Sequence, residues 1–172
     1  MTESATIRPA TPADARAIAE VHVASWRSTY RGIVPQPYLD ALNVADREAR
    51  WRDSFTSEMA IFVAEANGAV VGFASGGPAR AEFPGLTGEL YAIYLLPQAR
   101  SQGIGAKLFF AIANHLQQAG HAGMYLWVLE QNSACAFYKR MGGSRLSQQE
   151  IDVGGQSLIE VAYAWPRLHA KA

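Results

Sequence analysis

The sequence has a single cysteine, Cys135, in 172 residues. No disulfide can form within the chain, and no metal site built on several thiolates can be assembled. The four histidines are scattered without ligand-like spacing, so no metal is expected. Charge is also scarce: 17% of residues are charged, 15 basic against 15 acidic. A chain that binds nucleic acid by neutralising phosphates carries a basic excess, so nucleic acid is not expected as a partner. No apolar run approaches the roughly 20 residues of a membrane span. The opening residues Met1–Thr6 lack a basic segment followed by an apolar one, so neither a membrane nor a signal peptide is expected. One uncrosslinked cysteine fits a reducing, cytoplasmic setting.

What remains is an ample core. Hydrophobic residues make up 49% of the chain, and the length fits one domain, residues 1–172. Thr6-Ile7-Arg8 is a short strand candidate. Thr11-Pro12 opens a helix in which Ala15, Ile18, Ala19, His22, Val23 and Trp26 recur at helical spacing through about Tyr30. Two further helical pieces cover residues 35–42 and 44–55. Strands are expected at 60–65 and 70–75, joined by the tight-turn pair Asn67-Gly68, and a loop is expected from Gly76 to Gly85. The apolar run Leu90–Leu96 is the next strand, stopped by Pro97, and Ala106–Leu116 is the helix after it. Met124–Leu129 is a continuous apolar run, as in a strand covered on both faces. Residues 132–141 are helical, and two last strands lie near 144–153 and 157–165. This order predicts an α/β fold, a mixed sheet with helices on both faces.

The most informative stretch is Arg100-Ser101-Gln102-Gly103-Ile104-Gly105-Ala106, between a strand and a helix. A helix start presents N–H groups without internal partners and adds positive potential. Glycines there let a ligand approach the backbone. The segment is therefore either a phosphate cradle or an ordinary tight strand–helix turn. A dinucleotide-binding turn wants a third glycine where Leu108 stands, and a nucleoside-triphosphate loop wants Gly-Lys-Ser/Thr. Neither pattern is present.

A second constellation is Asn132-Ser133-Ala134-Cys135-Ala136-Phe137-Tyr138-Lys139-Arg140-Met141-Gly142. Phe137 and Met141, four apart, share one helix face; Tyr138 lies about 100° round from Phe137 and can point elsewhere. A tyrosine beside a cleft can donate a proton. Asn132 sits at the helix start, as a cap or a ligand contact. Cys135 reads as a small buried side chain.

Arg-x-x-Gly-x-Gly after a strand ending in Pro, followed some 30 residues later by Asn-x-x-x-x-Phe-Tyr-x-x-x-Gly, resembles the GNAT (Gcn5-related) N-acetyltransferases. The stretch Ser25–Pro35 with Tyr38-Leu39 resembles a branch of small bacterial members. The resemblance implies a mostly antiparallel seven-stranded sheet with splayed central strands, acetyl-CoA as co-substrate, and transfer of acetyl to a primary amine of a small molecule or peptide within a ternary complex. An acyl-CoA-binding domain without turnover is the alternative. By the same resemblance, Arg100, Ser101, Gln102, Gly103, Ile104, Gly105 and Ala106 hold the diphosphate; Ile93, Tyr94 and Leu95 pair with the pantetheine arm; the Leu95 N–H polarises the thioester carbonyl; Asn132 contacts the arm; and Tyr138 protonates the leaving thiolate. Glu89, at the start of the central strand, is either the general base or a strand-end surface carboxylate. Tyr91 shapes the acceptor pocket. Trp26 and Tyr30 are core residues or border the acceptor. A homodimer through the last strands is implied as well.

Overall fold

The computed structural model describes residues 5–168. Met1–Ser4, where the signal-peptide expectation falls, and residues 169–172 lie outside the described part. The chain runs β1 (Thr6–Pro9), α1 (Ala15–Thr29), α2 (Gln36–Asp40), α3 (Val44–Asp53), β2 (Ala60–Ala66), β3 (Ala69–Phe83), β4 (Leu86–Leu95), α4 (Ile104–Gln118), β5 (Met124–Leu129), α5 (Ala134–Arg140), β6 (Ser144–Val153) and β7 (Gln156–Trp165). The strands form one seven-stranded sheet in the order β1-β2-β3-β4-β5-β7-β6. Every pairing is antiparallel except β4 with β5.

Local chemistry starts and stops the helices. The Thr11 N–H donates to Asp14 Oδ2 (2.8 Å), and a short 3-10 turn at Pro12–Asp14 leads into α1. Asn43 caps α3 by accepting from the N–H groups of Ala45 (2.8 Å) and Asp46 (3.2 Å). Both faces of the sheet are covered. On one, α4 buries Leu108, Phe109, Ile112 and Leu116 against Ala74, Leu90, Met124, Leu126 and Val128. On the other, Ile18, Ala19 and Val21 of α1 and Trp51 of α3 pack on Ile61, Val63 and Phe73.

The loop expected at Gly76–Gly85 is instead a continuation of β3, and β4 begins at Leu86 rather than Leu90. Gly76-Gly77-Pro78 carries the composition of a turn, yet β2 ends opposite Gly76. Beyond that point β3 pairs with β4 alone, with Pro78 opposite Gly88. A missing proline N–H costs little on the free side of a ribbon.

Two irregularities shape the centre. Opposite Ser75 and Gly76 the β4 partners are Ala92 and Leu90, so Tyr91 is an extra residue, a bulge. Meanwhile β4 and β5 pair only at Gly88–Met124 and Glu89–Tyr125. Past that pair the two strands separate and leave a gap in the sheet.

Candidate active site

The gap between β4 and β5 opens into a cleft of about 510 Å³. Its lining comes from α1 (Ser25, Thr29, Tyr30), β4 (Leu90–Leu95), the turn before α4 and its start (Arg100, Ser101, Gly103, Gly105, Ala106), β5 (Leu126, Trp127, Val128) and α5 with the residues preceding it (including Asn132, Tyr138 and Arg140). Two of these residues, Arg100 and Arg140, are charged, and no carboxylate is among them.

The β4 side presents backbone. The Leu96 N–H donates to Val71 O at 2.9 Å. In an antiparallel ladder the polar groups of successive residues point alternately to either side. Leu96, Tyr94 and Ala92 therefore turn their N–H and C=O toward β3, while Ile93 and Leu95 turn theirs to the cleft. The Leu95 carbonyl confirms this orientation: it accepts from Ser25 Oγ (2.9 Å) and from Arg100 Nε and Nη2 (both 3.3 Å). The peptide after Leu95 is thus clamped from both ends, and the Leu95 N–H stands free along the cleft wall.

The turn before α4 presents N–H groups. Gly103 caps the helix with φ +76°, a left-handed conformation that glycine adopts without strain. Ser101 is left-handed too, at φ 61°. The first intrahelical bond at this end runs from the Lys107 N–H to Gly103 O (3.2 Å). The N–H groups of Gly103, Ile104, Gly105 and Ala106 have no helical partner and carry the positive end of the α4 dipole.

The far wall presents hydroxyls. Asn132, buried, accepts from the Ala134 N–H (2.9 Å) through Oδ1 and donates through Nδ2 to the Tyr30 hydroxyl (3.2 Å). Asn132 thus satisfies the N–H of the first residue of α5 while lining the cleft. Tyr138 is buried yet lines the cleft, and among the described residues its hydroxyl has no hydrogen-bond partner. Burial pushes the Tyr138 phenol well above its usual range, with the neighbouring Tyr94 adding to the shift. The Tyr30 hydroxyl is raised as well, first by burial. Both stay protonated across the neutral range. Burial also raises the Cys135 thiol, whose Sγ donates to Leu129 O (3.6 Å), the opposite of what a nucleophile needs.

Not every expected residue reaches the cleft. Glu89 is sealed at 1% exposure. It is neither a surface carboxylate nor part of the lining. Its oxygens accept from the Arg80 N–H (2.9 Å), Arg80 Nε (3.2 Å), Arg80 Nη2 (2.6 Å) and the Tyr125 hydroxyl (2.8 Å). Arg100 lines the cleft, but its guanidinium turns to Ser28 Oγ (2.9 Å), Thr29 Oγ1 (3.1 Å) and the Leu95 carbonyl. It ties α1 to the end of β4 and does not reach out as a free cation. Gln102 is exposed and donates to Gln98 O (2.7 Å). The Ile104 side chain anchors α4 in the core, leaving only its N–H at the turn. Tyr94 keeps its backbone on β3 and stacks its ring on His22, centroids 5.2 Å apart. Trp26 packs between His22, Tyr30 and Tyr38 behind the cleft. Sequence reasoning missed Ser25, Trp127 and Arg140. Trp127 was detectable as the half-exposed member of an otherwise buried strand, flanked by Leu126 and Val128 on the opposite face.

Comparison with known proteins points the same way. Residues 20–143, which hold the whole cleft, match the model of the acetyltransferase (GNAT) family. The chain is 43% identical over 166 residues to YuaI, an uncharacterized N-acetyltransferase of Bacillus subtilis, covering 96% of this chain and 95% of that one. Its fold resembles YncA of Salmonella typhimurium, solved with acetyl-CoA (TM-score 0.73, 24% identity, 98% of this chain and 96% of that one). It also resembles the PaiA N-acetyltransferase of Thermoplasma acidophilum, solved with coenzyme A (TM-score 0.67, 22% identity, 92% and 98%). With more than half of its length matched by the family model and a full-length relative at this identity, the chain belongs to the GNAT family of acetyltransferases.

Proposed function

We propose that this protein transfers the acetyl group of acetyl-CoA to a primary amine of a small molecule or peptide, by direct attack while both substrates are bound. The observation that carries this reading is the pair formed by the free Leu95 N–H and the unpartnered Tyr138 hydroxyl on opposite walls of one cleft. Acetyl-CoA is the co-substrate. Its diphosphate lies against the N–H groups of Gly103 to Ala106, and Arg140 offers a cation at the same cleft. The pantetheine arm pairs with Ile93 and Leu95 as an added strand and passes Asn132. The Leu95 N–H donates to the thioester oxygen, where negative charge develops as the amine nitrogen attacks the carbonyl carbon. The C–S bond then breaks, and Tyr138 gives its proton to the departing thiolate. Because no carboxylate lines the cleft, the attacking amine loses its proton to water, and kcat/KM for the amine rises with pH toward the amine's own pKa.

A reducing compartment is proposed on the single, uncrosslinked Cys135. The exposed edge strand β6, with Leu146 at 42% exposure, supports the expected homodimer. The test is an acceptor screen with acetyl-CoA, reading thiol release. Release above background with at least one amine is expected. Background release with every amine, in protein that still gains thermal stability from acetyl-CoA, would instead favour an acyl-CoA-binding domain without turnover.

A further inference from the structure

Resting on the acetyl-transfer reading, we infer that Glu89 and Arg80 are positioning residues that hold the ring of Tyr91 at the acceptor side of the cleft, and that Glu89 takes no proton during turnover. The inference starts from the occupancy of the carboxylate. An ionised carboxylate has about four lone-pair sites. Arg80 N and Nε and the Tyr125 hydroxyl donate to Oε2 and Arg80 Nη2 donates to Oε1, and with the side chain only 2% exposed neither oxygen is open to the cleft. A general base must present a free lone pair to the substrate or to one intervening water. Glu89 presents none to the cleft, and it does not line it.

What the carboxylate does instead is fix Arg80. The Arg80 guanidinium lies over the Tyr91 ring, with Cζ 4.4 Å from the centroid, inside the range of a cation–π contact. Tyr91 is the bulged residue of β4, so no pairing to β3 sets its direction; bulges re-aim side chains in this way. Its hydroxyl donates to Pro78 O at 2.5 Å. Gly77 makes room for it, because a Cβ there would stand 2.8 Å from the Tyr91 hydroxyl oxygen. The ring is therefore held from the distal half of β3, at Pro78 and Arg80, and not by its own strand. Tyr91 lines the cleft, and Trp127, the other ring on this side, comes from β5 across the gap. The charged and titratable groups facing this cluster are Arg80 from β3, Glu89 from β4, Tyr125 from β5 and Glu58 from the segment before β2.

The test compares Arg80→Met, Glu89→Gln and Tyr91→Leu with wild type, varying the amine at saturating acetyl-CoA and acetyl-CoA at saturating amine. Arg80→Met removes the charge that faces the buried Glu89 carboxylate, so the double variant Arg80→Met/Glu89→Gln, which leaves no unpaired charge behind, is read beside it and is expected to give the same kinetic signature. The expected signature is a KM for the amine raised about ten-fold or more, with kcat changed by less than about three-fold and the acetyl-CoA KM unmoved, a loss confined to acceptor binding. Arg80→Met and Tyr91→Leu combined give no more than the larger single effect, as for residues acting through one contact. The acid limb of the pH profile stays where it is in Glu89→Gln. A lost acid limb with kcat down about a hundred-fold in Glu89→Gln would make Glu89 the base and overturn the inference. An unchanged amine KM in Arg80→Met would overturn it as well. A crystal structure of Arg80→Met reads the ring directly: a displaced Tyr91 is expected, and an unmoved one overturns the inference even if the wild type turns over no amine, a result that by itself removes only the acetyl-transfer reading.

Discussion

Tyr138 carries its proton in a place where water cannot easily take it. Because burial raises its pKa, the group stays an acid across the neutral and alkaline range, and no downturn in kcat from its ionisation is expected up to the ordinary tyrosine value near 10. Tyr138→Phe keeps the ring packed against Phe137, Tyr163 and Trp165 and removes only the donor. We expect kcat to fall about 10²-fold or more with the acetyl-CoA KM little changed; steady-state kinetics in which kcat stays within a few-fold of wild type would remove the acid role. That Tyr138 and Asn132 lie near each other was legible in the sequence because both belong to one local motif, Asn132 just before α5 and Tyr138 on it. The burial of Glu89 was not legible, for a physical reason. Its partner Arg80 stands in a stretch whose Gly-Gly-Pro composition reads as loop, so the ion pair across β3 and β4 has no signature in either segment alone. The side-chain partners of Arg100 were not legible either, since the hydroxyls that hold it, Ser28 and Thr29, lie some 70 residues earlier on another element.

Among the elements, α4 ties the sequence most directly to the site. Its apolar residues recur at helical spacing, so the helix was expected in nearly its observed place; the first turn, Ile104 and Gly105, was read as part of the turn because glycine punctuates helices. Packing does not account for glycine at 105. An added Cβ would meet Leu95 and Phe137 no closer than 3.5 Å, an ordinary contact, so the protein itself does not require glycine there. Gly105→Ala should therefore leave the fold intact or stabilise it by roughly 0.5–1 kcal/mol, while raising the acetyl-CoA KM because the methyl stands where the diphosphate approaches. Thermal melts and initial rates together check this. A variant with unchanged acetyl-CoA KM would show that the ligand does not come close to residue 105. The splaying of β4 from β5 was expected only by resemblance. Nothing in the two apolar runs shows that they share two paired positions and then part.

The whole molecule closes on its second face around a histidine. His22, buried between α1, α3 and the sheet, accepts from Trp51 Nε1 (3.2 Å) through Nδ1 and stacks on Tyr94. Desolvation, with Arg47 adding to it, lowers its pKa from 6.5 to about 3. The unfolded chain takes up this proton below about pH 6.5, and the folded chain does so only near pH 3. The contribution of His22 to stability is therefore complete above 6.5 and is lost as pH falls from there toward 3. His22→Gln keeps an acceptor for Trp51 and does not titrate. Wild type should lose more Tm than this variant between about pH 7 and pH 4; equal losses would show that another group drives the acid transition. The order of elements, and with it the mixed sheet covered on both faces, was readable because helical spacing, apolar runs and turn residues mark most elements one by one. Which side of the sheet each cleft residue faces was not readable, because the bulge at Tyr91 breaks the period within β4.

The parting of β4 and β5 has a consequence for how the reaction is inhibited. Leu126 and Val128 belong to the side packed by α4, while Trp127 belongs to the other, so the cleft is lined by side chains from both faces of the sheet. On the acetyl-transfer reading proposed above, donor and acceptor reach this cleft from opposite faces, and neither product has to wait for the other to leave. Free coenzyme A should compete with acetyl-CoA and not with the amine, and the acetylated amine should compete with the amine alone.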